Sequence, residues 1–374
     1  MKKLIVLLMV LAMMVAMVAC ANETGSTTTT QNPQTTNSTQ SDTTEPSTTQ
    51  SQGPTVDDML VEYYLQKANE VIVNDDSVTF TDDSGKGQIT VNKNPQNVAV
   101  LFASLTCLWH EAGGEAQMII GGKSAVTLYK EQIGHDITQD ESVTVVSESS
   151  TASEWDVEAI IAQKPDLIVC SAGGKKGYET IAPIAEAAGI PVIAIEYNSV
   201  QDYLKWFKVF CNLTGHPEKW EQIANATAQK IIDVASKVPE NTERPKVAIL
   251  VVVSGKIRAY GTQSAPGTIM EELGGVNVLD DGSDPFSTRD VDMEQLYAAD
   301  PDIILISARS SAEDTQKQLL EVVGENPVWN SLQAVKNGVI YLEKGLFHNK
   351  PNSRYEEAYL TMAKILYPDV FQDR

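Results

Sequence analysis

Positive charge is scarce in this chain. Its 374 residues carry 28 Lys and Arg against 50 Asp and Glu, a formal net charge of -22. An excess of carboxylates on that scale repels phosphate backbones and anionic headgroups, so nucleic acid and anionic lipid are excluded as bulk partners. Cysteine is also scarce: there are four, with no CxxC and no Cys/His cluster at metal-binding spacing. His110, His135, His216 and His348 lie far apart without companion ligands, which argues against a bare zinc or manganese site. GxSxG, HExxH, Walker and Rossmann signatures are all missing, so no motif calls for catalysis.

What is present begins at the amino terminus. Lys2 and Lys3 precede an apolar run from Leu4 to Ala19. A basic start, a short apolar core and small residues at its end mark a secretory signal over residues 1–19. The stretch Met17-Val18-Ala19-Cys20 resembles the lipobox of bacterial lipoproteins, in which the Cys becomes the lipidated first residue. Residues 21–54 are almost entirely Ser, Thr, Gln, Asn, Pro and Gly. Such a stretch cannot bury enough apolar surface to fold, and residues 20–55 are expected to act as a tether behind a lipidated Cys20. The expected location is extracytoplasmic, lipid-anchored at the cell membrane. Cys107, Cys170 and Cys211 sit in apolar surroundings and are expected to be buried thiols.

The globular part opens with two short β-type runs, Val78–Thr81 and Gln88–Val91, around Asp82-Asp83-Ser84-Gly85, a hairpin signature. Strands and helices alternate from Val98 onward, which predicts an α/β body with mainly parallel sheet. A long gapless repeat divides it: Asp156–Ala172 recurs as Asp292–Ala308. Each copy reads as a short helix stopped before Pro165 or Pro301, then an Asp, an apolar strand and a small-residue loop. Ligands of open parallel sheets sit at the carboxyl ends of the strands, so the loops at Ser171 and Ser307 are expected to face a common cleft. The loops after Val98–Phe102 and Val247–Val253 are expected to join them. Between the copies, apolar residues from Tyr203 to Val234 recur at helical spacing, which predicts a long helix bent or interrupted at Gly215–Pro217. The resulting division is an N-terminal lobe over 56–198, a linking helix over 199–240 and a C-terminal lobe over 241–374.

The order of these pieces resembles the solute-binding proteins for iron-siderophores, haem and cobalamin. The pieces are the hairpin before Asn94-Pro95-Gln96-Asn97-Val98, the two Pro-Asp repeats, Glu272-Leu273-Gly274-Gly275-Val276-Asn277, and the closing Lys350–Tyr355 with Leu366-Tyr367-Pro368. The resemblance implies two Rossmann-like lobes joined by a long backbone helix, with the ligand between them. It also implies partners: a small-molecule metal chelate, and an ABC permease with its ATPase. The protein is then a monomeric binder, not an enzyme, held at the membrane by its lipid anchor and needing no cofactor. Haem or cobalamin is the alternative cargo; a surface enzyme or an adhesion or sensor lipoprotein is the alternative role. The resemblance departs at Asn97, where the family often carries Arg, and it offers no counterpart for Val56–Val73.

On this resemblance Glu158 and Glu294, at one position of the two repeats, are the residues that dock into arginine pockets of the permease. Either carboxylate also stabilises its own helix, because it stands in the first turn. An anionic ferric chelate would need cations and donors on an aromatic floor. The ligand-binding candidates are therefore Lys175, Lys176, Tyr178, Tyr197, Lys256, Arg258, Tyr260, Arg309, His348 and Lys350. Lys256, Arg258 and Tyr260 share one face if they form a strand. Arg354 is expected to brace the last helix.

Overall fold

The computed structural model describes residues 55–114, 117–146, 155–172, 178–240, 243–280, 282, 288–347, 350 and 352–372. The signal, Cys20 and the tether lie outside the described residues, as do Lys175, Lys176 and His348.

The body opens with α1 (Val56–Asn69), started by a capping box in which Thr55 and Asp58 satisfy each other's backbone N–H groups. Three strands follow, β1 (Ile72–Val73), β2 (Ser77–Thr81) and β3 (Gln88–Asn92), paired antiparallel as a small sheet. The hairpin falls where Asp82–Gly85 predicts it, and Gly85 supplies the left-handed turn residue at φ 77°.

The N-terminal lobe alternates strands and helices: β4 (Asn97–Val100), α2 (Ala103–Glu111), β5 (Gln117–Ile120), α3 (Lys123–Ile133), β6 (Val143–Val145), α4 (Val157–Ala162), β7 (Leu167–Ser171), α5 (Tyr178–Ala187) and β8 (Val192–Ile195). Its five strands run parallel in the order β6-β5-β4-β7-β8. Gly113 ends α2 at φ 94°, where a Cβ would meet the His216 ring at 2.3 Å.

The segment between the lobes is two helical pieces rather than one. Ser199 and Asp202 form the capping box of α6 (Val200–Leu213). The chain then turns at Gly215 (φ 81°) and resumes as a π-helical turn, Trp220–Asn225, that runs into α7 (Ala226–Ser236). Pro217 lacks an N–H and the glycine is left-handed, so one continuous helix is impossible here.

The C-terminal lobe comprises β9 (Lys246–Val253), β10 (Lys256–Tyr260), α8 (Ala265–Glu272), β11 (Val276–Asn277), β12 (Thr288–Asp290), α9 (Met293–Ala299), β13 (Ile303–Ser307), α10 (Ala312–Val323), α11 (Pro327–Ser331), α12 (Gln333–Asn337), β14 (Ile340–Leu342), α13 (Lys344–Phe347) and α14 (Tyr355–Leu366). Its sheet order is β12-β10-β9-β13-β14, with β11 also on β9. This sheet is mixed. Strands β9, β13 and β14 are parallel, but β10 is antiparallel to both of its neighbours. Ser254 (φ 51°) and Gly255 (φ 71°) make a two-residue turn between β9 and β10. Two left-handed residues match the twist of a hairpin, so this connection folds straight back and is no cleft loop.

The repeat occupies matching places. Asp156 and Asp292 cap α4 and α9 by accepting from Ala159 and Gln295 at 2.9 and 2.7 Å. Lys164 and Asp300, each just before its proline, stop these helices in the left-handed region at φ 52° and 42°. The following Asp166 accepts from the backbone of Gln96 and Asn97, while Asp302 accepts from that of Lys246. Each thereby fastens the repeat strand to the start of the strand beside it.

Side-chain alternation sorts both sheets into two faces. Ala99, Ile168 and Ala194 pack with Ile181 of α5 on one side of the N-terminal sheet. Ala248, Leu250, Ile304 and Ile306 pack with Leu296 and Leu319 on one side of the C-terminal sheet. The opposite faces, including Val98, Val169, Val247 and Leu305, feed one continuous core shared with α1, α6, α7 and α14. Cys107, Cys170 and Cys211 are buried free thiols, and burial pushes each thiol up to about 12.

Candidate functional site

Between the lobes lies a cavity of about 300 Å³. One wall comes from the N-terminal lobe: Ser104, Cys107, Leu108 and Glu111 of α2, the end of α3 at Glu131–Ile133, and Tyr197 just after β8. The facing wall comes from Lys344 and Gly345 of α13 and from Lys350 and Asn352–Arg354 before α14. Strands β4, β8 and β14 lead from their carboxyl ends into α2, Tyr197 and α13, on the ligand side of an open α/β sheet.

The spacing 104, 107, 108 and 111 is one face of a helix, which explains how α2 turns all four side chains inward. Phe102 takes the N-cap of α2 without a side-chain hydrogen bond. Lys350 reaches across the lobes and donates to the Asn198 side chain. Burial lowers its ammonium to about 8, although Glu196 and Asp202 pull the other way. Lys344 pairs with Glu131 at 3.3 Å, a second link between the lobes. Burial raises the Glu111 carboxyl, partly offset by a hydrogen bond from Ser353 and by the Lys219 charge. Tyr197 is 5% exposed, and burial holds its hydroxyl well above the ordinary phenol range. Arg354 pairs with Glu357 of α14 at 2.8 Å and lines the cavity as well.

Two of the described ligand candidates, Tyr197 and Lys350, meet at this cavity. The others stand elsewhere. Lys256 and Arg258 lie on the returning strand of the hairpin and pair with Asp290 at 3.2 and 3.0 Å. Tyr260 shares their face of β10, as alternation predicts, but packs on the core. Tyr178 is buried as the first residue of α5, with Lys86 over its ring at 5.3 Å and Glu186 accepting from its hydroxyl. Arg309 is exposed beyond β13 and is not part of the lining. Lys256, Arg258 and Tyr260 stand together on the antiparallel β10, outside the residues that line this cavity.

Glu111, Glu131, Lys344 and Asn352 were not singled out as ligand residues. For Glu111 a signal existed, because it shares the α2 helix face with Ser104, Cys107 and Leu108. Nothing local marks Lys344 or Glu131, whose partnership spans 213 positions. Glu158 and Glu294 are both exposed, each in the first turn of its helix, α4 and α9.

Comparison with known proteins follows the same lines. Over 268 residues the chain is 27% identical to the Fe(3+)-citrate-binding protein YfmC of Bacillus subtilis, covering 71% of this chain and 78% of that one. Over 146 residues it is 29% identical to the high-affinity heme uptake system protein IsdE of Staphylococcus aureus, covering 39% of this chain and 48% of that one. The fold matches the crystal structure of the TroA-like periplasmic binding protein FepB from Veillonella parvula. That match has a TM-score of 0.63 at 20% identity and covers 79% of this chain and 92% of that one. The sequence profile described as "Periplasmic binding protein" matches residues 101–345.

Proposed function

This chain belongs to the periplasmic binding protein family, and from that premise we propose that it captures an iron chelate outside the cytoplasm and delivers it to an ABC importer. The observation that carries the proposal is the cavity between the lobes, lined by both acidic and basic side chains around Tyr197. Its similarity to a Fe(3+)-citrate-binding protein supports iron as the cargo metal. In this role the protein binds and hands over its ligand without chemical change. Cys20 is the lipidated anchor, residues 21–54 the tether, and the working form a monomer. Glu158 and Glu294 meet the permease, one from each lobe, through charge-assisted hydrogen bonds to arginines.

The test is a tryptophan-fluorescence titration of the intact chain against ferric hydroxamates, ferric catecholates, ferric citrate, haem and cobalamin. Saturable quenching by an iron chelate, joined to loss of iron uptake when the protein is deleted, is the expected result. Silence toward every iron compound overturns the proposal. Preference for haem or cobalamin replaces the cargo and keeps the transport role.

A further inference from the structure

The charges around the cavity are not equally committed. Glu131 and Lys344 neutralise each other at 3.3 Å. Arg354 is held by Glu357 at 2.8 Å. Lys350 donates to Asn198 and feels Glu196 and Asp202. Glu111 differs from all of these, because no cationic side chain pairs with its carboxylate among the described residues. Lys219, whose charge acts on this carboxylate, donates to the Glu111 backbone carbonyl at 3.1 Å instead. Ser353 gives the Glu111 carboxylate a hydrogen bond and Lys219 acts on it through charge alone, while Cys107, Leu108 and Tyr197 beside it carry no positive charge. A carboxylate half-removed from water and only partly compensated gains from a cation brought to it, the alternative being to take up a proton.

We propose that Glu111 sets the ligand class, so that the cleft takes a ferric chelate carrying a protonated amine and disfavours polyanionic chelates; this rests on the iron-chelate reading above. An amine-bearing ferric trihydroxamate has the required chemistry. Its iron centre is neutral and presents oxygens to the Lys350 ammonium, while its free ammonium donates to Glu111. A ferric tricatecholate or ferric citrate brings further negative charge against the same carboxylate. Like charges held close in a poorly solvated site repel strongly, so these ligands bind more weakly.

The experiment titrates the intact protein with ferrioxamine B, which bears one free ammonium, and with N-acetylated ferrioxamine B, which keeps the iron centre and loses the charge. Ferric citrate and a ferric tricatecholate complete the set. Ferrioxamine B should bind about tenfold or more tightly than its acetylated form, the effect of one charge-assisted hydrogen bond. Glu111→Gln should bring that ratio close to one, and Glu111→Asp should retain part of it. Equal affinity for the two ferrioxamines, or tightest binding of citrate or catecholate, overturns the role of Glu111 and leaves the iron-chelate reading standing. Failure to bind any of the four overturns the iron-chelate reading itself. Should Glu111→Gln fail to fold, the acetylation comparison on the unaltered protein still decides.

Discussion

The Tyr64 hydroxyl donates to the Glu272 carboxylate at 3.1 Å, joining α1 to α8 across 208 positions of chain. Tyr63 donates to the other carboxylate oxygen at 3.2 Å, and Tyr359 of α14 also donates to this group. Burial raises the Glu272 carboxyl while the three hydroxyls lower it. Replacing it with Ala leaves these hydroxyls without their acceptor. Glu272→Ala should cost about 3 kcal/mol or more in urea unfolding, and Glu272→Gln distinctly less, since its amide oxygen still accepts.

At its other end α1 is fastened to α6 of the linking segment, through Lys67 to Asp202 at 2.6 Å and through Lys208 to the Ala68 carbonyl at 2.9 Å. Lys67 is half exposed, so Lys67→Ala should cost no more than about 1 kcal/mol in thermal unfolding. The contrast with Glu272 tests whether buried hydrogen bonding or surface charge fastens this helix.

Asp166 and Asp302 hold equivalent strand junctions with different numbers of bonds. Asp166 accepts two backbone N–H groups, at 2.8 and 3.1 Å, and Asp302 accepts one, at 2.8 Å. Each lost partner costs about 1–2 kcal/mol. Chemical denaturation should find Asp166→Ala the more damaging of the two.

Ligand affinity should depend on pH through Lys350. Its ammonium sits at about 8 because of burial, below the ordinary 10.5. Below that value it is charged and donates to ligand oxygens; above it the charge is lost. Affinity should fall as pH rises from about 7 to about 9, and Lys350→Met should flatten the profile. Folding responds in the opposite sense. The unfolded chain keeps this proton up to its ordinary value, so stability from this group rises between about 8 and about 10.5. Opposed profiles in calorimetric titration and in thermal melts check both.

Charge reversal at both Glu158 and Glu294 should abolish uptake while ligand affinity in solution stays unchanged. Both carboxylates are exposed and neither lines the cavity. A loss of affinity in the double variant would show that they act on the cleft and not on a permease.

Local chemistry made much of the fold legible. The Asp–Glu–Pro–Asp pattern of the repeat carries its own helix cap, its own stop and its own strand clamp, all within 17 residues of each copy. The hairpin at Asp82–Gly85 and the stop at Gly113 are likewise decided by residues that enforce their own backbone. Ser254-Gly255 has the composition of a small-residue loop, and only the left-handed backbone of both residues makes it a tight hairpin turn.

The sequence by itself therefore determined most of the elements and the duplication, because caps, prolines, glycines and apolar period act over a few residues, while the kind of protein was legible only through its resemblance to a known family. The tertiary structure alone decided the cleft. Lys344 finds Glu131, Lys350 finds Asn198, and Glu111 is left without a cationic partner among the described residues, across separations that no local pattern encodes. It also decided the place of α1, whose tyrosines meet Glu272 of the C-terminal lobe across 208 or more positions of chain. Such pairings depend on where packed elements bring side chains, and burial then changes their charges.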